Sequence, residues 1–196
     1  MERNAWVDSL RRDIVFSETL RGYPFTFHST WGIFSPKAVD EGSELLLRHI
    51  EVNPDDDCFD LGCGYGPIGL TLAKLAPEGK TLMVDKDFLA VGYANKNAAL
   101  NGVDNAKAIT SNGFQQVPGE CKFDLVASNV PAKVGKEMLA IMLSDAHERL
   151  NAGGRVWVVT ITGLRRLFER ELNAVFGNYR KVKQGKTYTV AMAAKQ

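Results

Sequence analysis

The sequence predicts an α/β fold: a doubly wound, seven-stranded, mostly parallel sheet with an antiparallel C-terminal hairpin, preceded by an N-terminal β-hairpin extension. Three observations carry this. From residue 57 onward, short apolar runs alternate with segments whose apolar residues recur at helical spacing, the pattern of a parallel sheet covered on both faces. The last two strands, "YRKVKQ" and "TYTVAMAA", are separated only by Gly185-Lys186, so they should pair as an antiparallel hairpin. Upstream, "RDIVFSETLRGYPFTFH" holds two β-prone runs around Arg21-Gly22 and reads as a second hairpin.

The elements follow in order. "SPKAVDEGSELLLRHI" places Ala38, Leu45, Leu46 and Ile50 on one helical face, so a helix covers much of 37–50. "CFDLG" is a short strand, and "PIGLTLAKLA" a helix opened by Pro67, a good first-turn residue. "TLMVD" is a strand and "FLAVGYANKNAALNG" a helix stopped by Gly102. "AKAIT" and "FDLVAS" are strands, and "GKEMLAIMLSDAHERLNAGG" is a helix with a glycine-rich end. "RVWVVTIT" is the next strand and "LRRLFERELNAVFG" the last helix. Residues 1–36 form an extension that covers the substrate or cofactor, and 37–196 form the main domain.

Composition narrows the function. The 196 residues are 45% hydrophobic and 24% charged, as expected for one globular domain with a real core. No apolar run is long enough to cross a bilayer, and the charged start "MERNAWVDSLRRD" lacks the apolar centre of a signal peptide. Three cysteines without a CxxC pair argue against a disulfide framework or zinc site and fit a reducing, cytoplasmic setting. The three histidines show no metal-ligand spacing, so no metal is expected. A net charge of +1 means that any contact with a polyanion must come from a local patch.

"DLGCGYGPIG", Asp60 to Gly69, lies between the first strand and first helix of the alternating array. Read from Gly64 it is G-x-G-x-x-G, and Asp85 follows about 20 residues later, where a ribose partner is required. Any nucleoside cofactor in a Rossmann-like fold needs that much. Asp60 immediately before the loop repels a pyrophosphate but suits ammonium and sulfonium charges. Pro67 also removes a backbone N–H from the helix N-terminus where a phosphate would sit. S-adenosyl-L-methionine fits this loop better than NAD.

"FDLGCGYGPIGL", "MVDKD", "FDLVASNVPAKVG" and "FHSTWGIFSPKAVDEGSELLL" together resemble the small-domain methyltransferase family. This is the class I S-adenosylmethionine-dependent fold of the bacterial ribosomal-RNA guanine-N2 methyltransferases. The resemblance runs from about residue 12 to the C-terminus. It implies that Asp60, Gly62, Cys63 and Gly64 line the methionine end of the cofactor. It implies further that Asp85 binds the ribose hydroxyls with Lys86 beside it, and that Asn112 faces the adenine amine. Trp31 to Ser35 would approach the methionine carboxylate.

In relatives that methylate exocyclic amines, the strand matching "DLVAS" ends in Asn-Pro-Pro and an aromatic. There the Asn oxygen and the next carbonyl orient the target amine toward the sulfonium methyl, and positioning carries most of the catalysis. Here the run is Asn129-Val130-Pro131-Ala132. Asn129 and Pro131 are the candidate catalytic residues, and the Val130 carbonyl a substrate contact. The stacking aromatic is missing, with Trp31, Phe34 and Tyr65 as candidate replacements. An Asn at a strand end also suits an ordinary Asx turn.

Arg165, Arg166, Arg170, Arg180, Lys181, Lys183 and Lys186 read as solvated surface, whereas Arg11 and Arg12 flank the expected pocket and are the better RNA contacts. Cys63 has no His paired with it as a nucleophile would need, and His147 lies on a packed helix and reads as structural. The expectation is an S-adenosylmethionine-dependent enzyme acting on an exocyclic base amine in RNA. The rivals are methylation of a small molecule or protein, and a cofactor-binding module without transfer.

Overall fold

The structure, a computed structural model, describes residues 2–196. The N-terminal hairpin pairs β1 (Ile14–Leu20) with β2 (Tyr23–Ser29), and Arg21 and Gly22 turn the chain with φ of 54° and 86°. Before it stands a short helix, α1 (Glu2–Leu10), which the charged start did not lead us to expect. Its bonds are local, Ser9 Oγ to the Trp6 carbonyl and Arg11 to Asp8, and Trp6 stays 59% exposed.

The helix expected over 37–50 is α2 (Glu41–His49), with Ala38 outside it because Asp40 is its N-cap. The chain then alternates β3 (Cys58–Leu61), α3 (Pro67–Leu75), β4 (Thr81–Asp85), α4 (Phe88–Leu100) and β5 (Ala106–Thr110). It continues with β6 (Phe123–Asn129), α5 (Lys136–Arg149), β7 (Leu150–Ile161), α6 (Arg165–Phe176), β8 (Arg180–Gln184) and β9 (Tyr188–Ala194). The seven-stranded sheet has the order β5-β4-β3-β6-β7-β9-β8; β9 runs antiparallel to β7 and β8, and every other pair is parallel. Strand order reverses between β3 and β6, so the crevice for a ligand opens at their carboxyl ends.

Alternation along the strands builds two cores. Cys58 on β3 faces one layer with Leu46 and Leu47 of α2, Leu70 and Leu72 of α3, and Ala94 of α4. Phe59 faces the other, with Leu139 and Leu143 of α5 and Phe168 and Leu172 of α6. "NAGG" does not end the helix as expected. α5 stops at Arg149, and residues 150–154 already belong to β7. The backbone explains this: Gly153 N–H donates to Lys195 O at 2.9 Å, and Lys195 N–H to Gly154 O at 2.8 Å, so the glycines find strand partners.

The hairpin belongs to the first core rather than lying on its surface. Phe25 and Phe27 are buried in it, and Phe27 packs edge-on to Tyr65 at 5.5 Å. The amides of Asn97 in α4 and of its C-cap Asn101 act as a stand-in strand for β2. Asn97 accepts from His28 N–H (2.8 Å) and donates to His28 O (2.9 Å), and Asn101 does the same with Thr26 (2.8 and 2.9 Å). Among the described residues no helix is long and apolar enough to cross a membrane, and no cluster of metal-ligating side chains occurs.

Candidate active site

A cleft of about 660 Å³ opens at the carboxyl ends of β3, β4 and β6. This is within the ordinary range for a small-molecule site, roughly 300–1,000 Å³. Its floor is the loop after β3. Gly62 and Gly64 take φ of 80° and 55°, and a side chain added at either would meet nothing within 4 Å. The loop is therefore tight in the backbone and open above it, the form needed for a ligand to approach the main chain. Cys63 lines the cleft between them, and burial pushes its thiol well above the usual range, which fits packing and not nucleophilic chemistry.

Asp85 ends β4 and binds the loop: Oδ2 accepts from Gly64 N–H at 3.0 Å and Oδ1 from Asp87 N–H at 3.0 Å. Each oxygen keeps lone-pair capacity for a hydroxyl donor, and the carboxylate lines the cleft. Lys86 and Asn112 also line it, both exposed. These placements fit a nucleoside held by its ribose, with an amide at the far end.

Asp60 differs from expectation. It is fully buried beneath the loop and does not line the cleft. Its Oδ2 accepts from Gly69 N–H at 2.7 Å, so it caps the first turn of α3 from below. Gly69 is required there, since a side chain would collide with Met83 Cγ at 2.4 Å and Asp60 Oδ2 at 2.9 Å. Burial, reinforced by the charge of Asp85, raises the Asp60 carboxyl to about 7. A pyrophosphate is disfavoured by the helix N-terminus and not by an exposed Asp60 charge. Pro67 has no N–H and Gly69 N–H is already taken, so the helix N-terminus has little left for a phosphate.

Asn129 ends β6 on the opposite wall and lines the cleft. Its Nδ2 donates to Asp40 Oδ2 at 2.7 Å and to Ser43 Oγ at 3.0 Å. Among the described residues no group donates to its Oδ1. Pro131 lines the cleft beside it. The Val130 side chain is buried in the second core and its N–H donates to Val159 O at 2.9 Å, so only its carbonyl is left to meet a substrate.

Of the three aromatics expected near the substrate, Phe34 and Tyr65 line the cleft, and only Phe34 is exposed there, at 67%. Trp31 lies outside the lining with Lys37 Nζ 4.7 Å from its ring centroid. Tyr65 is buried against Phe16 and Phe27 and donates its hydroxyl to Ala38 O at 3.0 Å, so it is no stacking platform. Arg11 pairs with Asp8 on α1, and His147 packs edge-on to Phe176 at 5.0 Å. Asp40, Ser43 and Tyr188 were missed as site residues. An N-cap signature at "VDEGS" marks the first two, but nothing local marks a tyrosine 148 residues away.

Comparison with known proteins agrees with this geometry. The family model described as methyltransferase small domain matches residues 24–192. A Bacillus subtilis protein, YbxB, itself uncharacterized, is 38% identical over 145 residues, 74% of this chain and 72% of its own. Ribosomal RNA large subunit methyltransferase G of Streptomyces avermitilis is 31% identical over 90% of this chain and 47% of its own. Among solved structures, the T. thermophilus 16S rRNA N2 G1207 methyltransferase, in complex with AdoMet and guanosine, superposes with a TM-score of 0.85 at 29% identity. That match covers 93% of this chain and 50% of the other. The chain thus spans about half the length of the ribosomal RNA methyltransferases it matches. It belongs to the methyltransferase small domain family and is built as an S-adenosylmethionine-dependent methyltransferase domain.

Proposed function

We propose that the protein methylates an exocyclic amine of a base in ribosomal RNA, of the guanine-N2 type, in the cytoplasm. The observation that carries this is the amide of Asn129, with both N–H groups spent on Asp40 and Ser43 and its oxygen left to receive a donor. Bound S-adenosylmethionine supplies an electrophilic methyl on a good leaving group, so the protein needs no strong base. Gly62, Cys63 and Gly64 would hold its methionine end, Asp85 and Lys86 its ribose, and Asn112 its adenine. Asn129 Oδ1 would accept one N–H of the target amine and turn the nitrogen lone pair toward the donor loop. In this pose the amine lone pair would be free to take the methyl group, sulfur would keep the C–S electrons, and the amine's extra proton would leave to solvent. Orientation of this kind is the main source of rate when the electrophile is already activated.

Two features support a nucleic-acid substrate. Lys86 and Lys133 line the cleft and Lys136 opens α5 beside it, cations that can meet phosphate groups next to the acidic Asp85 and Asp87. Phe34 can take the place of the aromatic that Ala132 lacks, and base–aromatic stacking is worth about 1–3 kcal/mol. Residues 1–36, which bring Phe34 to the rim, are read as the cover of this site.

The test is transfer of labelled methyl groups to protein-free ribosomal RNA, to protein and to metabolite pools, followed by nucleoside analysis. Label should appear in RNA as N2-methylguanosine. Asn129→Ala should lower the rate by roughly a hundredfold or more, the cost of losing an oriented hydrogen bond in a preorganised site, with cofactor affinity unchanged. Label confined to protein or metabolites would overturn the RNA assignment. An unchanged rate with a lowered melting temperature would reduce Asn129 to a turn residue.

A further inference from the structure

Asp40 makes more bonds than its place at the head of α2 requires. As an N-cap it needs only the Gly42 and Ser43 N–H groups, which its Oδ2 accepts at 2.9 and 3.2 Å. The same oxygen also accepts from Asn129 Nδ2, while Oδ1 accepts from the Tyr188 hydroxyl at 3.0 Å. Four donors therefore converge on one partly buried carboxylate from α2, β6 and β9. Gly42 makes room for this: a side chain there would meet Asp40 Oδ2 at 2.8 Å and the Tyr188 ring at 2.9 Å. Burial and the Asp40 bond push the Tyr188 phenol up to about 12, so it remains a donor at any working pH.

We infer that Asp40, braced by Tyr188, is a positioning residue that locks the Asn129 amide with its oxygen toward the acceptor. This rests on the reading of Asn129 given above and goes beyond it. A carboxylate only accepts, so the amide nitrogen must face Asp40. Flipping the amide would set its carbonyl against the carboxylate and forfeit the bond to Asp40, whereas the Ser43 hydroxyl can donate or accept and so fits either orientation. The cleft is thereby offered an acceptor and never a donor. The site selects groups that carry N–H, such as an exocyclic amine, over a carbonyl oxygen or a bare ring nitrogen.

The experiment uses wild type, Asp40→Ser, Tyr188→Phe, Asn129→Ala and the Asp40→Ser/Asn129→Ala double variant of the full chain. Serine keeps a capping oxygen for α2 but cannot reach Asn129, and Tyr188→Phe leaves the cap intact should Asp40→Ser fail to fold. The first measurement needs no substrate: hydrogen exchange of the Asn129 side-chain amide protons, followed by NMR in labelled protein. Exchange should be about tenfold faster or more in Asp40→Ser, as expected when a hydrogen bond to a charged group is lost, and intermediate in Tyr188→Phe. The second is single-turnover methyl transfer to protein-free ribosomal RNA, with the Kd for S-adenosylmethionine measured alongside. Asp40→Ser should slow transfer by about tenfold or more with Kd little changed, yet have almost no further effect in the Asn129→Ala background. Unaltered amide exchange in both variants, or equal rate losses in the two backgrounds, would overturn the inference. If wild type leaves the RNA unmodified, the proposed function fails, and the amide exchange still decides the role of Asp40.

Discussion

The buried carboxyl of Asp60 makes stability depend on pH in a direction opposite to that of most acidic residues. Its Oδ1 has no hydrogen-bond partner, its Oδ2 has only the Gly69 N–H, and the side chain is sealed under the glycine loop. Desolvation therefore disfavours the charged form, and the neighbouring Asp85 adds to it, raising the group from 3.8 to about 7. The unfolded chain releases this proton near pH 4, whereas the folded protein keeps it until about pH 7. Between those values the native state holds more protons, so stability falls as pH rises and levels off above the folded value. From pH 5 to pH 8 this one group should cost about 2–3 kcal/mol. Asp60→Asn keeps an oxygen for Gly69 N–H and removes the titration. Urea unfolding of both proteins at intervals across pH 5–8 is the assay. The gap between them should move in favour of Asp60→Asn by that amount as pH rises, with every other titrating group common to both. Parallel stability curves would show that Asp60 does not change protonation in this range and would refute the reasoning.

Asp85→Ala should weaken binding of S-adenosylmethionine and of S-adenosylhomocysteine alike by about 1–3 kcal/mol, because ribose contacts are common to both; calorimetry that shows unchanged Kd values would remove Asp85 from the site. Phe27→Ala empties a fully buried position beside Tyr65 and should cost about 3–5 kcal/mol in denaturant unfolding, whereas a dispensable N-terminal tail would show no change. Deleting residues 1–35 removes Phe25 and Phe27 from the first core, so the truncated chain should lose both cooperative unfolding and cofactor binding, visible by calorimetry.

Local pattern was enough for much of this molecule. Alternating apolar periodicities determine the sheet and its two helical layers, because each strand or helix is specified by neighbours within a few residues. The hairpin turn at Arg21-Gly22, the glycine loop after β3 and the acidic residue at the end of β4 were legible for the same reason. The extent of β7 was not, since the glycines that look like a helix stop acquire strand bonds from Lys195 at the other end of the chain. Neither was the role of Asp60, which depends on how deeply the loop buries it, nor that of Tyr65, whose ring is claimed by Phe16 and Phe27. The orientation of Asn129 is the clearest case. Sequence placed the amide at a strand end, where an ordinary turn and a substrate contact look alike. Only the folded chain brings Asp40 and Ser43 to it, from 89 and 86 residues away, and Tyr188 to Asp40 across 148 residues. A hydrogen bond is decided by distance and direction in space, and those are set when the layers pack.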